Sequence, residues 1–400
     1  MNQQDIAKEA KKWVAEQIIT KDQYEKIIDQ YPEKDKSFLL LLFSSLFIGL
    51  GFLTFVASNI NGIPDYVNMM IILLFMIGYY MMGDHFYRKK SEKIGMSLIV
   101  IGLFIFGAGL FLTGQMYHYI YNNAVPFLIW SIAGLALYVV YKHPVLFGFT
   151  ISIITVGQIY NGFVHQSFYW LLGLLFFAGC LHFVFHHPNK WYSRMFAISY
   201  LLQSLVLVLA NGFEYQFFVI LFLLLYLLGI LLSKKEIASV FQSFSVMAVF
   251  ILTCFDTFFL GGILEFTSVE WIYFYIWLPL FIFTIAFTVQ KRIEELTTLV
   301  LFIPMIYAGT PGDYLSMLSL FIFSLGLLFS GYKQEDSRRI GFGTVSFLIS
   351  TFVAYFHLAW AFLDKSLFFF IGGVLLFFMA YFLEKNRRSV KTKNNEVDKQ

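Results

Sequence analysis

The chain has 400 residues, of which 59% are hydrophobic and 13% are charged, and its formal net charge is +3 at pH 7. Soluble domains carry about a quarter charged residues, so this composition excludes a water-soluble globule. The Lys and Arg residues stand in short clusters between apolar runs. A nucleic-acid-binding surface would gather them on one domain, so no nucleic-acid partner is expected.

Apolar runs long enough to cross the hydrocarbon core as helices follow one another along most of the chain. They predict an all-α fold, a polytopic membrane helix bundle of about fourteen transmembrane helices over residues 37–384. Residues 1–36 are predicted to form a cytoplasmic helical head, and residues 385–400 a charged, disordered cytoplasmic tail. Because the head is polar, no cleavable signal peptide is expected. The apolar runs are 37–58, 65–86, 94–116, 124–141, 144–161, 167–185, 193–210, 213–232, 237–260, 270–289, 295–309, 313–331, 339–362 and 366–384.

The distribution of positive charge predicts the orientation of the bundle. When the apolar runs are counted as spans, 27 of the 28 Lys and Arg residues fall in the termini and the even-numbered loops, and Lys365 falls in an odd-numbered loop. The positive-inside rule then places both termini in the cytoplasm, with the bundle in the plasma membrane. The odd-numbered loops are acidic, and the only Lys or Arg residues within the bounds of a predicted span are Arg194 and Arg339, at the cytoplasmic ends of their spans. This arrangement disfavours a flippase or ligase that holds phosphate in a cationic pocket.

Two helix ends carry the same Gly-Gln-x-Tyr motif, over residues 114–117 and 157–160. From each Gln, polar residues continue at the third and seventh positions, which lie within about 60° of arc on a helix. The two sets are Gln115, His118 and Asn122, and Gln158, Asn161 and His165. Three interpretations fit: hydrogen bonds that join helices, an outward-facing polar cavity that binds a substrate, and side chains that reach the membrane interface. The repeated motif also suggests duplicated helical hairpins, a common device of transporters.

Asp256 lies about one turn inside the outer end of the predicted span 237–260. An acid at this depth is costly unless it is hydrated, paired or bound to a cation. With no Lys or Arg in its own predicted span, it is interpreted either as a hydrated interfacial acid or as a site for a cation or a coupled proton. His357, one turn from Trp360, is a further candidate for the cavity, although a lone His is more often structural. Asp313 is predicted to cap a helix.

Metal and catalytic motifs are weak or missing in the sequence. His182 and His186 have the i, i+4 spacing that can bind a metal, but no nearby Cys or acid completes a site, and the pair is predicted to reach the membrane interface. Cys180 and Cys254 lie in different apolar runs and show no disulfide or zinc spacing. The sequence contains no P-loop, dinucleotide-binding glycine motif, nucleophile elbow or zincin motif. No metal, cofactor or catalytic residue is predicted, and an enzymatic function is disfavoured.

The polar head is predicted to contain two short amphipathic helices within residues 1–31. Thr20 and Gln23 have the spacing of a capping box at the start of the second helix. Neither helix can bury its apolar stripe alone. The stripes are therefore expected to pack on each other, on the membrane surface, or on a cytoplasmic protein partner.

Three features give the first third of the chain a family resemblance. Trp13 lies in the polar head, a glycine-rich first span leads to Asn-Ile-Asn-Gly-Ile-Pro over residues 59–64, and the third span ends in Gly-Gln-Met-Tyr-His over residues 114–118. Over roughly residues 10–140 the chain resembles DUF2157, a bacterial family of predicted membrane proteins of unknown function. The family has Trp where this chain has Ile60. The resemblance implies a short cytoplasmic head on a membrane protein, and it implies no activity.

The leading hypothesis is a transporter-like protein in the lipid bilayer, with an outward-facing polar cavity for a neutral or cationic small solute. The first alternative is a membrane scaffold or sensor that uses the head to bind a partner. Deleting residues 1–31 would discriminate the two, because a scaffold should lose its function and a transporter could keep substrate flux. The second alternative is an enzyme that acts on a lipid or sugar at the outer leaflet.

Overall fold

The structure is a computed structural model. It describes residues 36–59, 64–119, 121–232, 235–259, 271–308 and 311–359, with scattered residues of 10–24 and 367–381. Every regular element in these ranges is helical, which confirms the predicted all-α class. The chain forms two compact units, Met1–Leu137 and Tyr138–Gln400.

The first unit contains helices α1 (Lys36–Asn59), α2 (Asp65–Lys89) and α3 (Glu92–Met116), followed by most of α4 (Val125–Tyr141). Helix starts follow local sequence signals. Pro64 precedes α2, and the Ser91 hydroxyl accepts a hydrogen bond from the Ile94 backbone N–H at the start of α3. The sequence signals therefore locate the loops between these helices.

Glycine and tryptophan set the helix contacts of the first unit. A Cβ at Gly95 would overlap the backbone of Tyr87, so α2 and α3 pack with their backbones close together. Gly107 leaves room for the indole ring of Trp130, whose Nε1–H donates to the Leu103 carbonyl at 2.8 Å. A buried indole N–H needs such an acceptor, and this bond fixes α4 against α3.

The second unit continues from the end of α4 through eight further α-helices. Some of their starts are also capped: the Asn189 side chain accepts from the Trp191 N–H at 2.9 Å, and Pro144 opens α5. One turn of α6, Phe176–Leu181, is a π-helix. The helices are α5 (Pro144–His165), α6 (Trp170–His186), α7 (Lys190–Ala210), α8 (Phe217–Leu231), α9 (Lys235–Phe259), α10 (Trp271–Arg292), α11 (Gly312–Lys333) and α12 (Ser337–Ala359).

Between α10 and α11 the chain forms two 3₁₀ pieces, Ile293–Phe302 and Met305–Ala308, separated at Pro304. We call these residues the interrupted segment, and the predicted span 295–309 falls on it. A 3₁₀-helix rises about 2.0 Å per residue, so it reaches about a third farther than an α-helix of equal length. Phe302 is buried in the core of the second unit, where irregular backbone is tolerated at membrane depth.

The surfaces of the helices suit hydrocarbon. Phe47, Phe163 and Phe329 are 70%, 83% and 75% exposed, which would be unfavourable in water at this density of apolar groups. Exposed hydroxyls such as those of Ser44 and Ser152 donate to carbonyls four residues earlier, so they need no water partner.

Eight described helices are long and apolar enough to cross a membrane, namely α2, α3, α5, α7, α9, α10, α11 and α12. Four shorter apolar helices lie at Leu40–Gly49, Val125–Tyr141, Trp170–His186 and Phe217–Leu231. The predicted membrane helix bundle is confirmed in this form, and the count of about fourteen stays a prediction.

In the head, Thr20 and Gln23 form the predicted capping box. The Thr20 N–H donates to Gln23 Oε1 at 2.9 Å, and the Gln23 N–H donates to Thr20 Oγ1 at 3.3 Å. Most of the predicted span 366–384, the tail at 385–400 and Trp360 lie outside the described residues.

Candidate functional site

The first Gly-Gln-x-Tyr motif ends α3 in the first unit. Gln115, His118 and Asn122 are all exposed. The helix stops at Met116, and His118 adopts a left-handed backbone conformation with φ of 53°. The three side chains therefore share the end of one helix and its following loop.

The second motif, on α5, lies in a different environment. Gln158 is fully buried, and its side-chain amide pairs with the backbone of Tyr169. Gln158 Nε2 donates to the Tyr169 carbonyl, and the Tyr169 N–H donates to Gln158 Oε1, both at 3.1 Å. Asn161 Nδ2 donates to the Ser167 carbonyl at 2.7 Å. These bonds supply partners to the loop between α5 and α6, as expected for the interpretation in which polar residues join helices.

His165 completes the second set at the end of α5. Its ring packs edge-on against Tyr160 at 5.9 Å between centroids, and its buried Nε2 has no hydrogen-bond partner among the described residues. Gln115 and Gln158 thus occupy the same motif position but different surroundings, one exposed and one buried. The single cavity formed by both sets stays a prediction.

Asp256 lies one turn inside the end of α9, as predicted. Its carboxylate is close enough to the hydroxyl groups of Tyr215 and Tyr273 to interact with them electrostatically. Tyr215 belongs to the loop between α7 and α8, and Tyr273 to the first turn of α10. Tyr307, in the interrupted segment, packs against Tyr273 at 5.4 Å between ring centroids. We call Asp256, Tyr215, Tyr273 and Tyr307 the Asp256 cluster.

Two tyrosines of the Asp256 cluster have buried hydroxyls without a hydrogen-bond partner among the described residues. Tyr273 is fully buried, and neither its hydroxyl nor that of Tyr215 has a hydrogen-bond partner among the described residues. Most buried polar groups are hydrogen-bonded, because leaving one unpaired costs about 1–3 kcal/mol. The Asp256 carboxylate and these hydroxyls are groups that can accept hydrogen bonds from a solute.

The interrupted segment runs beside this cluster. The break at Pro304 leaves backbone groups without helical hydrogen bonds. One of them, the Phe302 carbonyl, accepts a hydrogen bond from the Trp277 Nε1–H at 2.9 Å. Trp277 lies one turn after Tyr273 on α10. The same face of α10 therefore contacts the interrupted segment through Trp277 and contributes Tyr273 to the Asp256 cluster. Discontinuous membrane helices commonly form substrate and ion sites in transporters.

His357 makes a contact that the sequence reading missed. Its Nε2 lies 3.1 Å from Asp313 Oδ2, and both side chains are mostly buried. The other carboxylate oxygen of Asp313 accepts the Tyr314 N–H at 2.8 Å. Asp313 therefore serves its own helix start, near its predicted capping role, and also links α11 to α12.

At the other end of α12, Arg339 joins three elements. Its Nη2 lies 3.6 Å from Glu295 Oε1 at the start of the interrupted segment, and its Nη1 donates to Ser330 Oγ at 3.1 Å. The Tyr226 hydroxyl donates to the other Glu295 oxygen at 3.4 Å. Charge of both signs thus anchors the interrupted segment at the end that sequence assigns to the cytoplasm.

The tyrosines of the Asp256 cluster carried no usable signal in the sequence. The chain has 24 Tyr and 50 Phe residues, so a tyrosine is ordinary on any helix. Only the fold shows that Tyr215 and Tyr273 interact electrostatically with Asp256. For metals, the part of the chain that the structure describes contains no group of three His, Cys, Asp or Glu residues that could hold an ion.

Long apolar helices with lipid-compatible surfaces define an all-helical membrane protein. Residues 11–147 match the family model described as predicted membrane protein (DUF2157), which confirms the predicted resemblance over that part of the chain. No curated protein and no solved structure matches the chain. Asp256 and His357 lie outside the matched residues.

Proposed function

We propose that the chain is a transporter-like protein of the plasma membrane, with an outward-facing polar cavity that binds a neutral or cationic small solute. The observation that carries this proposal is the Asp256 cluster. The Asp256 carboxylate, on a membrane-embedded helix, interacts electrostatically with Tyr273, whose buried hydroxyl has no hydrogen-bond partner among the described residues. The proposal includes the predicted bundle of about fourteen spans with both termini in the cytoplasm, which puts Asp256 near the outer surface.

Energetics favour a binding role for this cluster. An acid in a membrane span is costly, and an unpaired buried hydroxyl adds a further cost. Apolar residues would remove both costs, so a purely structural role gives no reason for Asp256 and Tyr273 to be polar. A bound solute, or water that the solute displaces, supplies the missing partners.

The neighbouring backbone supports the same conclusion. The interrupted segment passes the cluster at Tyr307 and is broken at Pro304. Short helical pieces can shift relative to each other with few hydrogen bonds lost, and transporters place such breaks at their binding sites. Gln158 and Asn161 are not proposed to contact the solute, because their side-chain amides are hydrogen-bonded to backbone groups. They contribute by shaping the loop at the outer end of α5.

Complementation tests the proposal. A strain that lacks the whole chain is compared with its parent to find a growth condition that requires the protein, and Asp256→Asn is then expressed in that strain. We expect normal levels of the variant in the membrane but no rescue, because Asn keeps the shape and removes the charge. Asp84→Asn is the matched control, since Asp84 lies near the surface, where it pairs with Arg88 at 2.8 Å. Full rescue by Asp256→Asn would refute the role of this site.

A further inference from the structure

We infer that the turn between α2 and α3 is a binding site for the headgroup of an anionic phospholipid, held by the side chains of Lys89 and Lys90. The lipid presents its phosphate to the two lysines and an acyl chain to the neighbouring apolar face of α2. This inference goes beyond the proposed function and does not depend on it, because it concerns only the contact of the first unit with the membrane.

The turn carries an excess of positive charge. Residues 84–93 contain four Lys or Arg residues and two acids. One of these acids, Asp84, pairs with Arg88 at 2.8 Å. Lys89 and Lys90 are exposed, and neither forms an ion pair with a carboxylate in the part of the chain that the structure describes. Their ammonium groups are therefore available to an anionic ligand such as a phosphate, with which lysine forms charge-assisted hydrogen bonds.

The length of α2 puts these cations at the depth of lipid headgroups. The helix has 25 residues, from Asp65 to Lys89. At about 1.5 Å per residue it is about 37 Å long, and the hydrocarbon core of a bilayer is about 30 Å thick. Both polar ends of α2 thus emerge from the hydrocarbon, and Lys89 and Lys90 meet the layer that contains the phosphates.

The two lysines continue an apolar face of α2. Met82, Phe86, Lys89 and Lys90 have the i, i+4, i+7, i+8 spacing of one helix face. The Lys90 ammonium lies 4.8 Å from the centroid of the Phe86 ring, so these two side chains do share that face. Met82 is 52% exposed. A phospholipid has its groups in the same order, with a phosphate above acyl chains, whereas a soluble phosphate compound would contact the lysines alone.

Close packing of α2 on α3 fixes the position of the turn. Lys90 and Ser91 are the two residues between these helices, and the Ser91 hydroxyl accepts the Ile94 N–H at the start of α3. A Cβ at Gly95 would overlap the backbone of Tyr87, so the two helix ends lie in direct contact. The lysine backbones are therefore ordered before a lipid arrives, which lowers the entropic cost of binding.

The lysines also have two roles that need no ligand. Cations in the last turn of a helix interact favourably with the helix dipole, and cations in a loop orient the helices during insertion. Neither role gives the purified chain a preference for one lipid headgroup over another. Headgroup preference in purified protein therefore separates a binding site from these two roles.

Native mass spectrometry of the full chain in micelles of a neutral detergent tests the inference. The chain is titrated with phosphatidylglycerol and, separately, with phosphatidylcholine of the same acyl chains, and the apparent affinity for the first bound lipid is measured. We expect phosphatidylglycerol to bind at least about fivefold more tightly, because it is anionic and phosphatidylcholine has no net charge. Glycerol 3-phosphate at the same concentration should not displace it, because this competitor has no acyl chain.

Variants assign the preference to the turn. Replacing both Lys89 and Lys90 by Gln should lower the affinity for phosphatidylglycerol by about tenfold or more, since each lysine near a lipid surface contributes about fivefold. The affinity for phosphatidylcholine should stay the same. Replacing both lysines by Arg keeps the charges and should keep the preference. Lys142→Gln is the matched control, because Lys142 is an exposed, isolated cation in another even-numbered loop.

Four results would overturn the inference. They are equal affinities for the two lipids, a preference that the double Gln variant retains, an equal loss of preference in Lys142→Gln, and displacement of phosphatidylglycerol by glycerol 3-phosphate. The first would leave the lysines with their roles in helix stability and orientation. The last would make the turn a site for a soluble phosphate compound, and the second and third would place the lipid elsewhere on the chain.

Discussion

The side-chain amide of Gln158 pairs with a backbone residue as a neighbouring peptide group would. Its oxygen accepts the N–H of Tyr169, which precedes α6, and its nitrogen donates to the Tyr169 carbonyl, which also accepts the Gly173 N–H. Asn161, one turn later on α5, donates its Nδ2–H to the Ser167 carbonyl. At this end of α5, polar residues thus stabilise a loop, and their polarity is explained without a ligand.

Replacing Gln158 by Met should be strongly destabilising. Met has a similar length but cannot pair with the Tyr169 backbone, so the Tyr169 N–H loses its partner while the Tyr169 carbonyl keeps its bond from the Gly173 N–H, at a cost of about 1–3 kcal/mol. The free energy of unfolding of the purified full chain in micelles measures the effect. Gln115→Met is the matched control because Gln115 is exposed in the same motif, and it should change stability by less than about 0.5 kcal/mol. Equal effects at the two positions would contradict the account.

Tyr273→Phe should raise the free energy of unfolding when no ligand occupies the Asp256 cluster, whereas Gln158→Met lowers it. The substitution removes a buried hydroxyl that has no partner among the described residues and keeps the ring packed against Tyr307. We expect stability to rise by about 1 kcal/mol, since the desolvation cost of the hydroxyl disappears. The free energy of unfolding is measured in a buffer whose only cation is too large to enter the cluster. A loss of stability would indicate that the hydroxyl makes a structural hydrogen bond.

At the scale of elements, the interrupted segment is the unusual feature of the second unit. The hydrophobic run predicted as span 295–309 is short for an α-helix, and the structure forms it as 3₁₀ pieces around Pro304. Neighbours compensate for the poorer hydrogen bonding of this geometry: Trp277 pairs with the Phe302 carbonyl, and Arg339 pairs with Glu295. Packing against α11 holds the segment in place, with Gly326 facing Thr297.

Two glycine substitutions separate packing from helix propensity. A Cβ at Gly326 would overlap the Thr297 side chain, whereas a Cβ at Gly341 on the exposed face of α12 would meet nothing within 4 Å. Gly326→Ala should therefore destabilise the protein by about 1–3 kcal/mol, and Gly341→Ala should be neutral or stabilising by up to about 1 kcal/mol. The free energy of unfolding of each variant in micelles, compared with that of the unmodified chain, shows whether the substitution stabilises or destabilises the protein. Stabilisation by Gly326→Ala would show that the interrupted segment does not pack on α11 in this way.

At the scale of the whole molecule, orientation is the main consequence of the charge pattern. An introduced cysteine at Gly62 should react with a membrane-impermeant maleimide in intact cells, and one at Lys90 should react only after the cells are opened. The two native cysteines, one buried and one partly buried, give the background in the unmodified chain. The positive-inside rule makes this prediction because Lys90 stands in a cluster of four cations. The reverse labelling pattern would invert the topology and put Asp256 near the cytoplasm.

Much of the fold could be predicted because apolar length, Pro, Ser and Asn signals act locally. The runs 65–86, 94–116 and 144–161 became α2, α3 and α5 with ends shifted by a few residues. Asp256 was found from its depth in an apolar run. Its tyrosine neighbours could not be found, because they come from three elements far apart in sequence and resemble the many other aromatic residues of the chain.

The pairing of His357 with Asp313 was hidden for the same reason. The two residues are 44 positions apart, and each has an ordinary local explanation as a lone histidine or a helix-start acid. The different roles of Gln115 and Gln158 also depend on tertiary context, since a motif of four residues does not say which loop folds over it. Local signals thus predict elements, and partners have to be read from the packed structure.

The most direct measurement is a high-resolution experimental map of the full chain in native lipid, compared with a map of Asp256→Asn prepared identically. We expect density for a bound group between the Asp256 carboxylate and the Tyr273 hydroxyl in the unmodified chain. In the variant this density should be absent, while the positions of the helices stay the same. A direct hydrogen bond between Asp256 and Tyr273, with no density for a bound group in either map, would contradict a binding site there.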